Sequence, residues 1–323
     1  MTPRGAVLVT GGAGYVGSHA VAGLVAAGRR VVVLDDLSTG HRDALRGTPL
    51  VVGSVDDADL VTRTCRAHGV AAVLHFAGRI SVAESVRDPA LYERANVTAT
   101  GVFAAAVARA GVRRFVFSSS AAVYGNPERV PIPEDHPQRP TSPYGASKAR
   151  AEGVLAASGL DVAALRYFNA AGAEPSLGLG ERHEPETHLI PLALLAARDA
   201  APLHVFGEDW PTPDGTCLRD YVHVVDLARA HVLALDRLEA GRGGGAWNLG
   251  TGAGCSVREV IAAAERVTGR RVPVVTAPRR EGDPAVLVAD PARAARDLGW
   301  RASDRSRLDA VVADAWAFLR RGR

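Results

Sequence analysis

The chain has 323 residues, of which 47% are hydrophobic, 23% charged and 5% aromatic, and this composition excludes a disordered or fibrous protein. The formal net charge of +3 is spread along the chain without a basic tail, so we expect no nucleic-acid partner. No apolar run reaches the roughly 20 residues of a membrane helix, and residues 1–10 do not resemble a signal peptide. We therefore expect a cytoplasmic protein without a membrane partner.

The first half of the chain alternates short Val/Leu/Ile runs with Ala-rich segments of helical length, as in a parallel sheet flanked by helices. This pattern predicts strands at residues 6–10, 30–34, 50–52, 72–76, 115–118 and 162–166. It predicts helices at residues 15–27, 58–68, 89–110 and 143–158. Because crossovers between parallel strands are right-handed, this order predicts an α/β fold with a doubly wound parallel sheet of the Rossmann type.

After Phe168 the elements become shorter and the loops richer in Gly, Glu and Pro, which indicates a smaller C-terminal substrate lobe. We therefore predict a cofactor-binding domain at residues 1–168 and a lobe formed mainly by residues 169–323. Residues 221–238 have the pattern of a long helix, and residues 246–249 that of a strand able to join the first sheet. Segments within about 221–250 are thus expected to complete the first domain.

The first strand leads into Gly11, Gly14 and Gly17, which have the spacing GxxGxxG and are followed at once by a helix. Such glycines allow a tight turn, a close approach of a pyrophosphate and close packing of helix on strand. The second strand ends in Asp35 and Asp36, where a carboxylate accepts hydrogen bonds from a ribose diol and repels a 2′-phosphate. This arrangement predicts NAD as the cofactor.

The fourth strand ends in a histidine followed by Phe76, Ala77 and Gly78. The small residues Ala77 and Gly78 let the end of the strand face the cofactor. His75 itself lies within the apolar strand, and we expect it to be a packed core histidine without a catalytic role.

The fifth strand ends in serines at 118–120, and Pro143 opens a helix that carries Tyr144 and Lys148 on one face. An ammonium beside a phenol, with the positive ring of oxidised nicotinamide, lowers the pKa of the tyrosine towards neutrality. We therefore predict Tyr144 as the base, Lys148 as its charged partner and Ser120 as a donor to the same substrate oxygen. Lys148 is the only lysine in the chain, which singles out this position because arginine is a poor replacement there.

The three cysteines, Cys65, Cys217 and Cys255, are widely spaced and form no CxxC, so neither a disulfide framework nor a thiolate zinc site is expected. The segment from His183 to His188 also contains carboxylates. The HExxH motif, however, would require histidine at 187 and a helix that Pro185 disfavours. We expect no metal.

Characteristic segments run along nearly the whole chain: TGGAGYVGSH (10–19), LDDLSTG (34–40), SSSAAVYG (118–125), SPYGASK (142–148), HLIP (188–191), PDGTCLRDYVHVVDLARAH (213–231) and RREGDPA (279–285). They resemble the extended short-chain dehydrogenase/reductases and, within that family, the UDP-glucose (UDP-galactose) 4-epimerases. The glycine loop and YxxxK are typical of the superfamily only, whereas the DGT…RDYxHVxDLAxxH and RREGD segments resemble the epimerases specifically.

This resemblance implies a reversible oxidation at C4 of a UDP-hexose on tightly held NAD, through a transient 4-keto sugar. It implies further cofactor contacts at Tyr15, Val16, Leu37, Ser38, Ser54, Val55 and Phe168. It implies that the UDP-sugar is bound by Ser120, Asn169, His188, Leu189, Phe206, Arg219, Arg280, Asp283 and Leu287. Family members usually pair two helices of each subunit, so it also implies a homodimer through residues 89–110 and 143–158.

The sequence departs from the family pattern at several ligand-contacting positions, namely Ser54, Ile80, Ala95, His188 and Leu287. Leu287 stands where the family often has a bulky aromatic residue, so the resemblance does not determine which sugar the pocket selects. An epimerase of a UDP-N-acetylhexosamine, a UDP-uronic acid or a dTDP-hexose is therefore an alternative, and a non-catalytic NAD-binding regulator is another. A 4,6-dehydratase would need an acid and a base where Ala121 and Ala122 stand.

Overall fold

A computed structural model describes residues 5–280 and 282–321 of the chain. In chain order the strands are β1 (Ala6–Thr10), β2 (Val31–Asp35), β3 (Leu50–Val52), β4 (Val70–His75), β5 (Arg114–Ser120), β6 (Asp161–Tyr167), β7 (Asn169–Ala171), β8 (Leu203–Phe206), β9 (Leu218–Arg219), β10 (Tyr221–His223), β11 (Gly245–Leu249), β12 (Cys255–Ser256), β13 (Val274–Ala277) and β14 (Val286–Leu287). The α-helices are α1 (Tyr15–Ala26), α2 (Ala58–His68), α3 (Val82–Arg87), α4 (Pro89–Tyr92), α5 (Ala99–Arg109), α6 (Pro143–Ala156), α7 (Leu189–Asp199), α8 (Val224–Glu239), α9 (Val257–Thr268), α10 (Ala292–Leu298) and α11 (Leu308–Leu319).

Seven parallel strands form the central sheet in the order β11-β6-β5-β4-β1-β2-β3. The sequences AVLVT of β1 and VVVLD of β2 are buried along their whole length, because helices cover both faces of the sheet. Helices α1 and α8 pack on one face, and α2, α5 and α6 pack on the other. The strand order reverses between β1 and β4, where the carboxyl ends of the strands form a ligand-binding crevice. The predicted doubly wound fold is confirmed.

A smaller lobe is built around α7, α9 and α11, whose apolar side chains Leu194, Val260 and Val312 share one core. Its strands are short: β8 pairs with β13, and β9 lies between β12 and β14. After α8 the chain returns to the main sheet, where β11 pairs with β6, as expected for residues 246–249. The division into residues 1–168 and 169–323 remains a prediction.

The predicted helix at residues 221–238 is wrong at its start. Tyr221–His223 forms β10, which pairs in parallel with Asn169–Ala171, and the helix begins only at Val224. The backbone of His223 is extended, and its ring nitrogen Nδ1 accepts a hydrogen bond from the Val225 N–H. A long-range strand pairing and a helix cap therefore override the helical pattern of these three residues.

The predicted helix at residues 89–110 is continuous but not uniform, because Glu93–Thr98 between α4 and α5 forms a π-helix. Wide turns of this kind shift the face that a helix presents and are frequent at functional sites. Here the turn contains Asn96, which is buried and donates a hydrogen bond of 2.9 Å to Ser147 Oγ on α6.

None of the helices that the structure describes is long and apolar enough to cross a membrane. The cysteines Cys65, Cys217 and Cys255 are free thiols, in agreement with the expectation that they form no disulfide framework.

Candidate active site

The predicted glycine turn joins β1 to α1 at the centre of the sheet. Gly11 has a φ of 65°, and a Cβ atom there would lie 2.6 Å from Ala77 N. A Cβ atom at Gly17 would lie 2.1 Å from the carbonyl oxygen of Gly11, so a side chain at either position would clash with backbone. The turn therefore lies directly against the end of β4 and leaves its own backbone exposed to a ligand. Gly14 caps the N-terminus of α1, and Val16 packs on the core behind it.

Asp35 ends β2 beside this turn and is buried. Its Oδ2 accepts a hydrogen bond of 2.9 Å from Ala13 N, and its Oδ1 accepts one of 2.9 Å from Leu37 N. Burial raises the pKa of Asp35, and the two backbone hydrogen bonds act in the opposite direction. Each carboxylate oxygen has a second lone pair, so Asp35 can brace the turn and still accept a ribose hydroxyl.

The other residues predicted to contact the cofactor surround this point. Asp36 Oδ1 accepts a hydrogen bond from Ser38 N, and Gly53 N donates to the backbone of Asp35, which brings Ser54 and Val55 near the end of β2. Tyr15 donates to the carbonyl oxygen of Gly172, and a cleft lies beside it between the glycine turn, Thr39–His41 and Gly180–His183.

Two histidines lie close to the fourth strand. His75 is buried and hydrogen-bonded to Thr10 and Thr100, so its assignment as a core histidine is confirmed. Phe76 packs against His231 in a tilted arrangement, with ring centroids 4.6 Å apart. Packing among these aromatic rings fixes the end of β4. It thereby holds Phe76, Ala77 and Gly78 at the crevice.

The predicted catalytic residues meet where β5 ends and α6 begins. Ser142 caps α6 by accepting a hydrogen bond of 3.1 Å from Gly145 N, and Pro143 is the first helical residue. A Cβ atom at Gly145 would lie 2.3 Å from the carbonyl oxygen of Ala122, so α6 packs tightly on the turn after Ser120. This packing brings the phenol of Tyr144 close to the side chain of Ser120.

The phenol of Tyr144 lies in an apolar environment. Burial raises the pKa of Tyr144 above its usual value, and the hydrogen bond with Ser120 lowers it only in part. Among the protein groups, Lys148 does not contribute to lowering the pKa of this phenol. The physical reason is that Lys148 Nζ donates its hydrogen bond, of 3.1 Å, to the carbonyl oxygen of Ser118 and not towards the phenol. The predicted lowering includes the positive ring of bound NAD and stays a prediction.

Lys148 is only 4% exposed and lies one turn after Tyr144. Its Nζ is 5.1 Å from the centre of the Phe117 ring, and a Cβ atom at Gly78 would lie 3.8 Å from it. Burial lowers the pKa of Lys148 to about 8, although the charge of Glu152 raises it in part. The ammonium therefore lies at the bottom of the crevice between the ends of β4 and β5. From there it could reach the ribose of a bound cofactor.

A buried polar network supports this lysine, and sequence reasoning missed it. Glu152 lies one turn after Lys148 and forms an ion pair of 2.6 Å with Arg166, while Ser119 Oγ donates to it at 2.5 Å. Arg166 NH1 also donates to the hydroxyl of Tyr124 at 2.9 Å. The sequence signal for this network is Arg166, an arginine inside an apolar strand, because a buried charge requires a partner.

Asn96 was also missed as a site residue, although it lies directly beneath the loop after β4. Its Oδ1 accepts a hydrogen bond of 2.7 Å from Arg79 N, and its Nδ2 donates to the Arg79 carbonyl and to Ser147 Oγ. One amide thus joins the loop after Gly78 to the helix that carries Tyr144 and Lys148. The neighbouring departure at Ala95 leaves these bonds intact.

The residues predicted to bind the nucleotide-sugar fall into three groups. Phe206 lies at the end of β8 under the guanidinium of Arg280, 3.9 Å from its ring centre. Arg219 on β9 lies 3.7 Å from Asp283 and is the register partner of Leu287 on β14. We call Phe206, Arg219, Arg280 and Asp283 the nucleotide end.

Leu287 and Phe168 connect the nucleotide end to the catalytic residues. Both pack on the apolar cluster of Ala121, Val123 and Tyr124, which directly follows Ser120. Leu287 is thus brought close to the reacting end of the site, as its predicted role beside the sugar requires.

The remaining predicted substrate residues lie on the smaller lobe. Asn169 N donates to the carbonyl oxygen of Asp220 where β7 pairs with β10, and Leu189 is the first residue of α7. The side chain of His188 lies against Glu181 and Glu186, in a cluster separate from the nucleotide end.

A Rossmann-type sheet, a glycine turn and a Ser-Tyr-Lys group with a buried lysine together define a nicotinamide-dinucleotide enzyme. The model of the NAD dependent epimerase/dehydratase family matches residues 7–250. The chain therefore belongs to this family.

Individual relatives extend the likeness to the whole chain. A UDP-glucose 4-epimerase from Azospirillum brasilense is 50% identical over 327 aligned residues, which cover 99% of this chain and 92% of the relative. The structure of UDP-glucose 4-epimerase from Brucella ovis in complex with NAD is 48% identical with a TM-score of 0.93, covering 97% and 98% of the two chains. The enzyme from Bifidobacterium longum, solved with NAD+ and UDP, is 36% identical with a TM-score of 0.91 and covers 98% of both chains. The predicted family resemblance and NAD as the cofactor are confirmed.

Proposed function

We propose that this enzyme interconverts UDP-glucose and UDP-galactose by NAD-dependent epimerisation at C4, with Tyr144 as the acid–base residue. The observation that carries the proposal is the proximity of Tyr144 to Ser120, beside a buried Lys148 and one strand away from the switch point of the sheet. The near full-length likeness to UDP-glucose 4-epimerases supports the choice of substrate.

The residues around the glycine turn fit NAD. Gly11 and Gly17 leave no space for side chains, so backbone lies open to a pyrophosphate at the N-terminus of α1. Asp35 presents a carboxylate where a 2′-phosphate would be repelled. When bound, NAD supplies the hydride acceptor and donor for the sugar carbon.

The reacting side chains each have a distinct task. Tyr144 removes the proton of the C4 hydroxyl and later returns it, while Ser120 donates a hydrogen bond to the same oxygen. The Lys148 ammonium stabilises the phenolate electrostatically and donates a hydrogen bond to the cofactor ribose. The reaction yields no net oxidation because C4 would regain the hydride given to NAD, and its oxygen would regain the proton held by Tyr144. The same groups therefore serve both directions.

The nucleotide end binds the UDP part of the substrate. Arg219 NH1 donates to the carbonyl oxygens of Leu218 and Pro284, at 3.0 and 2.9 Å, which fixes its guanidinium before substrate arrives. Arginine forks suit phosphate oxygens, so Arg219 and Arg280 bind the pyrophosphate. The uracil and ribose lie between Phe206, Asn169 and Leu189.

The enzyme acts as a homodimer and works in the cytoplasm. The exposed residues of α5 and α6 include the small Ala105, Gly153 and Ala156, which permit close helix packing between subunits. The free cysteines suit a reducing compartment. Light scattering with size-exclusion chromatography tests the dimer, and a mass of one chain would contradict it.

The direct test uses purified protein, UDP-galactose and UDP-glucose, with no added NAD, and chromatography of the products. We expect both substrates to reach the same mixture, because each cycle regenerates the bound cofactor. Turnover of another nucleotide sugar alone would favour one of the other epimerases. Absence of turnover with every nucleotide sugar would favour a non-catalytic NAD-binding regulator.

A further inference from the structure

The loop before α7 gathers four side chains with metal-binding chemistry. Glu181, His183, Glu186 and His188 each offer one ligand atom, and these atoms all lie within 4.8 Å of one another. The HExxH motif considered in the sequence began at His183 and required a helix. The structure instead shows a loop in which Glu181, outside that motif, completes the group.

The distances within the cluster match a small coordination polyhedron. Glu181 Oε1 lies 2.7 Å from His188 Nδ1 and 3.0 Å from His183 Nδ1. Glu186 Oε1 lies 3.3 Å and 3.9 Å from the same two nitrogens. A tetrahedral zinc site with bonds of 2.0–2.1 Å has ligand atoms about 3.4 Å apart, so the four atoms need little movement to enclose one ion.

A second, independent observation points to a missing partner. Glu186 has a side chain only 6% exposed, and its Oε2 has no hydrogen-bond partner in the described part of the chain. A buried carboxylate oxygen without a partner is destabilising, and a cation bound by both oxygens of Glu186 would satisfy it. Glu181 is equally buried, so two buried carboxylates face two imidazoles, of which His188 is open to solvent on one side.

The site lies beside the cofactor cleft. The His183 ring is 6.4 Å from the ring of Tyr15 in an edge-on arrangement, and Tyr15 follows the glycine turn directly. His188 precedes the first residue of α7. An ion held here would tie the loop of the smaller lobe together next to α1, with a structural effect and no part in the reaction.

We propose that Glu181, His183, Glu186 and His188 bind one divalent cation of the zinc type. Two imidazole nitrogens and two carboxylate oxygens suit Zn²⁺ or Co²⁺, whereas Mg²⁺ and Ca²⁺ prefer oxygen ligands throughout. Without the ion, the same groups form hydrogen-bonded pairs of imidazolium and carboxylate, which is the competing account of the cluster.

The experiment uses the tag-free holoenzyme with its NAD. Metal content is measured first, and the protein is then dialysed against a chelator and titrated with ZnCl2 in a calorimeter. We expect one equivalent per chain, a micromolar or tighter Kd, and a rise of several degrees in Tm on saturation. Absence of saturable zinc binding would leave only the ion pairs and overturn the proposal.

Two variants locate the site. His183→Ala and the isosteric Glu186→Gln should each weaken zinc binding by at least tenfold, with NAD retention and circular dichroism reporting the fold. His68→Ala removes an exposed histidine at the end of α2 and should bind zinc like the wild type. Equal affinities in all four proteins would show adventitious surface binding and contradict the assignment. Co²⁺ should give tetrahedral d–d absorption in wild type and lose it in Glu186→Gln.

Discussion

Around Tyr144 the polar side chains are buried and held by the central sheet, whereas the nucleotide end lies on strands of two to four residues and on loops of the smaller lobe. Lys148, Asn96 and Glu152 each make hydrogen bonds to fixed backbone or to a buried partner. Arg280, by contrast, is exposed, and its guanidinium packs on the ring of Phe206. The chemistry is thus built on the rigid element, and specificity on segments that tolerate change.

The largest effect is expected at the phenol. Tyr144→Phe removes the proton-transferring oxygen and little contact area, so kcat should fall by about 10³-fold while NAD stays bound. Steady-state epimerisation, together with the absorbance of extracted nucleotide, measures both quantities. Tyr92→Phe is the matched control, because this buried ring packs on Tyr144 at 6.3 Å and its hydroxyl donates a hydrogen bond to Glu84. Near wild-type turnover by Tyr144→Phe would remove the proposed base.

Lys148→Arg should lower kcat/KM by about 10²-fold although it keeps the positive charge. The ammonium occupies a buried site below Gly78, and a planar guanidinium neither fits that space nor presents the same point charge. Arg150→Lys, an exchange on the exposed face of the same helix, should remain fully active. If Lys148→Arg were as active as the wild type, lysine at this position would have no catalytic role that arginine cannot fill.

Glu152→Gln tests the electrostatic support beneath the site. The pKa of Lys148 is about 8, so the ammonium is lost, and activity should fall, as pH rises through that value. The charge of Glu152 raises this pKa, so its removal should shift the alkaline limb of kcat to lower pH. A purely structural role would lower kcat at every pH without moving the limb. Gln138→Ala, which removes an exposed partner of Glu152 and keeps its charge, should leave the limb in place.

The smallest effect is expected at the sugar. Leu287 leaves space that a tyrosine would fill, so the wild type should also turn over UDP-N-acetylgalactosamine. Leu287→Tyr should lower the kcat/KM ratio of the acetylated to the plain substrate by about tenfold, since apolar pockets discriminate small groups by about 1–3 kcal/mol. Leu287→Met should leave the ratio unchanged. An unaltered ratio in Leu287→Tyr would show that this side chain does not limit the pocket.

Local sequence was sufficient to predict where the glycine turn, Tyr144 and Lys148 lie in the fold. Gly11 and Asp35 lie at strand ends, Gly17 lies in the first turn of α1, and Tyr144 and Lys148 lie one helical turn apart, so local spacing determines these positions. The strands of the main sheet could also be predicted, because each contains a short run of apolar residues.

The features that could not be predicted depend on residues far apart in the chain. Asn96 bonds to Ser147 across 51 positions, and β10 forms only because β7 is available to pair with it. The cluster around Glu181 depends on the path of an irregular loop. None of these contacts has a periodic signature, and tertiary packing decides them.

The central claim is that C4 of the sugar gives up its hydrogen and regains it within one active site. Conversion of UDP-[4-²H]galactose in ordinary water, with mass and NMR analysis of the product, tests this most directly. We predict UDP-glucose that keeps deuterium at C4, without added NAD. Loss of the label to solvent, or label found at another carbon, would contradict the account.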